Sequence, residues 1–185
     1  MGQQPGVRVE VNPGKPAGGA KAVWGLVGRG SAKGRDIDSL FIYHPGYRFT
    51  RDEIQELQSN LGKEDVRVDF QGILDLNADA EVAFHHRGGS ARGGVHYLYL
   101  DDKEIHSVGD DRTKDQTLTL QLERGQHVMR WLLTGGELGE AQLEIAIANA
   151  ERNPDAKLDI FAPREFVAAA RARGVKREIE YGVKK

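Results

Sequence analysis

Val66-Arg67-Val68-Asp69-Phe70, Glu81-Val82-Ala83-Phe84-His85, Tyr97-Leu98-Tyr99-Leu100-Asp101 and Leu118-Thr119-Leu120-Gln121-Leu122 share one property: apolar side chains at every second position. A period of two puts successive side chains on opposite faces of a strand, so each stretch predicts a strand with one buried face. His127 to Leu133 and Ala141 to Ala148 extend the series. Asn77-Ala78-Asp79, Gly88-Gly89, Gly93-Gly94, Arg124-Gly125 and Gly135-Gly136 punctuate it. Short strands with regular turn signals predict a mainly β protein, an antiparallel sandwich of jelly-roll or similar type.

Working outward, the chain divides into 1–65, with N-terminal strands and one helix on the sandwich; 66–149, the sandwich itself; and 150–185, a helix followed by an edge strand or tail. In the first part, Val7 to Val11 and Ala22 to Val27 alternate as strands, and Leu40 to Tyr43 is a short apolar run. Thr50-Arg51-Asp52-Glu53 has the spacing of a capping box, with Ile54, Leu57 and Leu61 on one helical face and Gly62 as a stop. In the last part, Pro163 opens a helix running to about Arg173, with Phe166 and Val167 as its apolar face and Gly174 as its end. Val175 to Val183 alternates as an edge strand or frays.

Composition narrows the function. The 185 residues carry 26 basic and 28 acidic side chains, no cysteine and 23 glycines. A formal charge of −2 argues against a nucleic-acid binder that is basic throughout. The absence of cysteine excludes thiol catalysis, disulfides and Cys-ligated zinc. No apolar run approaches the roughly 18 residues of a membrane helix. Charge is uneven, however: +5 over 1–35, −10 over 36–150 and +3 over 151–185. The ends either contact something anionic or are solvated tails of an acidic domain. Met1-Gly2-Gln3-Gln4-Pro5-Gly6 lacks the apolar run of a secretion signal, which predicts a cytoplasmic protein or one whose signal has been removed.

The strand pattern resembles the anthrax protective-antigen-type domain. Val66 to Leu74 resembles that family's early arginine-bearing strand running into a glycine. Ala78 to Phe84 resembles the next strand, and Tyr97 to Lys103 the signature strand that closes in an aspartate turn. Leu118 to Trp131 and Ala141 to Ile145 resemble the following hairpin and the closing strand. The resemblance covers about 80 residues and implies a β-sandwich recognition module attached to a larger bacterial surface or glycan-processing protein. It implies a carbohydrate ligand, an extracellular or periplasmic place and no catalysis. Family loops that hold calcium carry adjacent aspartates. Here the loop Arg87-Gly88-Gly89-Ser90-Ala91-Arg92-Gly93-Gly94 carries none, and Asp102 stands where the family has a turn glycine.

Candidate sites follow. Arg87 and Arg92, in that glycine-rich loop, fork onto an anionic or sugar ligand, with His85, Tyr97 and Tyr99 on the adjoining strands. The alternative is a mobile hairpin tip. If Phe84 and Leu98 both face the core of one hairpin, paired residue numbers sum to 182 and His86 lies opposite His96. Two facing imidazoles, with His106, are a candidate metal site, and polar residues at the mouth of a sandwich are the alternative. Asp101-Asp102 and Asp110-Asp111, with Glu104, are calcium candidates or ordinary hairpin turns. The expected cofactor is none, with calcium as the exception. The partner is carbohydrate or protein. A structural interaction module is the rival function, and a carboxylate hydrolase a weaker one. Gly25 to Gly34 lacks the order of a phosphate loop and reads as a flexible basic loop; Trp24 and Trp131 read as core.

Overall fold

The computed structural model describes residues 8–11, 23–32, 35–50, 52–53, 66–88, 95–108, 116–135 and 141–182. Its strands are β1 (Arg8–Val11), β2 (Val23–Trp24), β3 (Leu26–Ala32), β4 (Arg35–Tyr43), β5 (Val66–Leu76), β6 (Ala80–Gly88), β7 (Val95–Leu100), β8 (Lys103–Val108), β9 (Gln116–Leu122), β10 (Gly125–Gly135), β11 (Ala141–Ile147), β12 (Leu158–Ala162) and β13 (Arg177–Tyr181). One α-helix, α1 (Arg164–Ala172), lies between the last two strands, and Ala150–Arg152 forms a 3₁₀ turn.

Among the described residues the strands form two sheets. The larger runs β1-β13-β4-β3-β5-β10-β7-β8, with β12 on β5 and β2 on β12; the smaller is β11-β6-β9. Every pair is antiparallel except β13 with β4. The two sheets face each other, as a mainly β sandwich requires. Between them lie Phe41, Tyr43, Phe70, Leu98, Trp131 and Tyr181 from the large sheet, and Val82, Phe84, Leu122 and Leu143 from the small one. These are the alternating apolar positions of the sequence, so the period of two sets which residues meet.

The flanking thirds of the chain are woven into the same large sheet. β3 pairs with β5 along Val27↔Gln71 to Ser31↔Arg67, and β12 continues along the same edge from Phe161↔Ile73 to Leu158↔Leu76. The chain steps between these neighbours at Gly25, whose φ is 101° and whose amide donates to the Ile160 carbonyl at 3.0 Å. Residues Val175 to Val183, expected at an edge or frayed, instead supply β13, which lies between β4 and β1. The stretch Gly25 to Gly34, expected as a loop, is mostly strand β3. Its Gly28 is there for packing, since a Cβ at that position would lie 2.5 Å from Cε1 of Phe70.

Two tethers join the layers. The Tyr43 hydroxyl accepts the Leu143 amide at 2.9 Å and donates to the Tyr47 carbonyl at 2.5 Å, tying β4 to β11. The following loop clasps the same strand, with Gly46 N donating to Leu143 O and Phe49 N to Ala141 O. The capping box is formed: Thr50 N donates to Glu53 Oε2 at 3.0 Å and Glu53 N to Thr50 Oγ1 at 3.2 Å. Asp52 and Glu53 are helical; Ile54, Leu57, Leu61 and Gly62 lie outside the described residues.

Helix α1 packs on the outer face of the large sheet. Val167 and Ala170 bury against Val27, Leu40, Ile42 and Ala162, a second core separate from the first. Pro163 caps the helix in a non-helical conformation, and Gly174, at φ 87°, follows its end. Phe166 does not join Val167 in that core: it is 37% exposed and turned toward the open part of the sheet.

Candidate functional site

On β5, Arg67, Asp69 and Gln71 alternate with buried Val68 and Phe70, so they stand on the outer face. The registers carry that face across four strands in cross-strand rows. One row reads Tyr97, Leu132, Asp69, Arg29 from β7 through β10 and β5 to β3. The next reads Tyr99, Arg130, Gln71, Val27. Beyond the first, Thr134, Arg67 and Ser31 form a third. Three strand spacings make each full row about 14 Å long.

Tyr97 and Tyr99 stack side by side, ring centroids 6.2 Å apart at 30°. The Arg130 guanidinium lies over the Tyr99 ring at 5.5 Å, and its Nε donates to Asp69 Oδ1 at 2.7 Å. That hydrogen bond holds Arg130 more firmly in its charged form than partial burial disfavours it. At the β3 end the sheet meets α1 in a groove of about 270 Å³, whose lining includes Arg29, Arg67, Asp69, Gln71 and Phe166. An aromatic pair, a cation-π contact and a polar groove thus occupy one continuous surface. Flat rings flanked by fixed hydrogen-bonding groups suit a ligand with an apolar face and a polar rim.

The residues singled out from sequence are not gathered in one place. Tyr97 and Tyr99 belong to this outer face. His85 stands on the outer face of the small sheet, where Nδ1 hydrogen-bonds the Thr117 hydroxyl at 2.6 Å. It therefore points away from the tyrosines, with the sandwich between them. The backbone of Arg87 is in β6, opposite Gln142; its side chain, and Arg92 altogether, lie outside the described residues.

The expected hairpin between β6 and β7 does not form. β6 pairs with β9 and β11, and β7 with β8 and β10, so the connection between them crosses from sheet to sheet. A glycine-rich turn signal is the same for a hairpin and for such an arch, which is why the sum of 182 misled. His86 and His96 meet nonetheless, through the core: Nε2 of one is 3.1 Å from Nδ1 of the other, and their rings stack at 5.2 Å beside Trp131. They are buried core residues and not polar residues at the mouth of the sandwich. Burial pushes His96 down to about 4, so it is neutral at pH 7.

Asp101 and Asp102 form the two-residue turn between β7 and β8, both left-handed at φ 50° and 63°. Asp101 is occupied: Oδ1 accepts the Val128 amide at 2.9 Å and Oδ2 the His127 Nδ1–H at 2.8 Å. Partial burial disfavours the charge on His127, but it donates through both ring nitrogens, to Glu123 O and to Asp101, and its pKa is raised. His96 and Asp101 lie at opposite ends of β7. The His106 side chain, Asp110 and Asp111 lie outside the described residues. Among the described residues no three His, Asp or Glu side chains are grouped to hold a metal.

No family model matches the sequence, and no curated protein matches it. Solved structures do match. A PA14 sugar-binding domain from an RTX adhesin aligns with a TM-score of 0.52 at 15% identity, over 68% of this chain and 91% of that one. The PA14 domain of the antifreeze protein MpAFP aligns with a TM-score of 0.53 at 10% identity, over 73% and 88%. The chain shares its fold with PA14 domains. A β-glucosidase from Kluyveromyces marxianus also aligns, at a TM-score of 0.47 and 18% identity, over 67% of this chain and 16% of that enzyme. The larger sheet takes in more than the 66–149 strands, because β3, β4, β12 and β13 belong to it as well. Arg130, Asp69, Arg67 and Arg29 escaped sequence reading. Arg67, Asp69 and Arg130 sat in stretches read as strands and Arg29 in one read as a loop, and only the β3-β5-β10-β7 order sets them beside Tyr97 and Tyr99.

Proposed function

We propose that this chain is a non-catalytic carbohydrate-binding module, with the outer face of β7, β10 and β5 as its binding surface. The observation that carries the reading is the Tyr97–Tyr99 stack, joined through Arg130 to Asp69. A pyranose ring laid on the face of Tyr97 turned away from Tyr99 covers its axial C–H groups with an aromatic ring. Its hydroxyls then reach the polar side chains of the neighbouring strands. The likeness in fold to a PA14 domain described as sugar-binding supports the same ligand class. Attachment to a larger surface or glycan-processing protein fits a module of this kind.

The test is a glycan array probed with the full chain and with Tyr97→Ala. Binding to one or more saccharides, lost by at least tenfold in the variant at unchanged melting temperature, supports the reading. A folded wild-type protein that binds nothing on the array favours the rival, a protein-interaction scaffold.

A further inference from the structure

The outer face does not end at the tyrosines. The row that starts at Tyr97 runs through Leu132 and Asp69 to Arg29, and its next member is Leu40 on β4, fully buried beneath α1. Helix α1 therefore closes the row, and the groove of about 270 Å³ lies where sheet and helix meet. The helix gives that groove a wall. Val167 and Ala170 are spent in the second core, while Phe166 and Ala169, three residues apart and so neighbours on one side of the helix, line the groove. Phe166 keeps its ring 37% exposed there, and Ala169 fills no more of the space than a methyl group. The floor is polar. Arg67 supplies donors, Asp69 acceptors, and Gln71 and Ser31 both. Carboxylate-bearing residues stand beside guanidinium-bearing ones: Asp69 is in the lining, and the β3–β4 register sets Asp36 opposite Ser31. A floor of both kinds suits hydroxyl groups, which donate and accept, better than it suits an ion of either sign. An aromatic wall over such a floor repeats, at the helix end, the combination of ring and hydrogen-bonding groups found at Tyr97 and Tyr99.

We infer that this groove is a second sugar subsite, so that the ligand is a neutral oligosaccharide with one residue against Tyr97 and another between Phe166 and the β3–β5 floor. This rests on the carbohydrate reading above and names its ligand class. The two subsites lie about 14 Å apart along the row, more than one pyranose ring spans. A monosaccharide therefore engages one of them, and only a chain engages both. Joining the two contacts in one ligand makes the second binding step intramolecular, so affinity climbs with chain length until both subsites are filled.

The experiment is calorimetric titration of the full chain with cello-, manno-, xylo- and malto-oligosaccharides, each series running from monosaccharide to hexasaccharide. At least one series should bind, with affinity rising tenfold or more between its monosaccharide and its hexasaccharide. Phe166→Ala removes the wall. Ala169→Leu fills the groove from an exposed helix position, where leucine is nearly as good a helix former as alanine. Either variant should abolish the gain with length at an unchanged melting temperature, as should Tyr97→Ala. Two results overturn the inference and leave the carbohydrate reading standing. One is saccharide binding that Tyr97→Ala removes but that shows no gain with length. The other is a gain that survives Phe166→Ala or Ala169→Leu. No binding to any of the four series overturns the inference as well, and a blank glycan array beside it removes the carbohydrate reading too.

Discussion

The strands β5, β7 and β10 have two faces built from alternate residues of the same sequence, and the two faces behave differently. Inward, Phe70, Leu98 and Trp131 are sealed beneath the small sheet, with Trp131 fully buried. Outward, Asp69, Tyr97, Tyr99 and Arg130 are half-buried and polar, next to a helix that covers β3 and β4 but stops short of them. One face spends its side chains on cohesion, the other presents them. A substitution should therefore affect stability on one side and recognition on the other, even where the residues are adjacent in sequence.

The sharpest way to break that contrast is at Trp131 and its neighbour Arg130. Trp131→Ala removes the ring around which Tyr43, Phe70, His86 and His96 gather, and should cost about 3–5 kcal/mol in chemical denaturation. Arg130→Ala, one residue away on the exposed face, should cost under about 1 kcal/mol. Comparable losses at the two sites would mean the outer face is structural after all.

Buried His96 gives the inner face a pH dependence of its own. His96 has a folded pKa of about 4 against an ordinary value of 6.5. Between those values the unfolded chain takes up a proton that the folded chain refuses. Its contribution is therefore fully present above pH 6.5 and is lost as pH falls toward 4, a change on the order of 3 kcal/mol. His96→Leu should flatten the stability curve over that window. An unaltered slope would show that other groups set it.

Two smaller substitutions probe how the layers and turns are fixed. Tyr43→Phe leaves the buried Leu143 amide without its hydroxyl partner and should cost about 1–3 kcal/mol, measured by thermal or urea unfolding. Asp102→Gly relieves a left-handed residue in the β7–β8 turn and should stabilise by about 1 kcal/mol. A destabilised glycine variant would mean that the Asp102 side chain makes a contact worth more than its strain.

The contrast between faces also explains what was legible beforehand. Period-two alternation is a local property, so the strands from Val66 to Ala148, the burial of Trp131 and the outward placement of Tyr97 and Tyr99 could be read directly. The capping box at Thr50 and the helix after Pro163 were legible for the same reason, being fixed by contacts within a few residues. Sheet membership is not local. The glycines after Arg87 signal a change of direction and not whether the chain returns as a hairpin or crosses to the other sheet, so His86 and His96 were paired correctly for the wrong reason. Gly28 read as flexibility because the ring of Phe70, forty-two residues away, was invisible. The candidate site was half legible: its aromatic residues were found, while Arg130, Asp69, Arg67 and Arg29 join them only through the strand order.

Whether the outer face binds sugar is decided by glycan-array binding of wild type and Tyr97→Ala at matched stability. Wild type should retain one or more saccharides, and the variant should lose them by at least tenfold with its melting temperature unchanged. Saccharide binding undiminished by Tyr97→Ala, or none by the folded wild type, would contradict it.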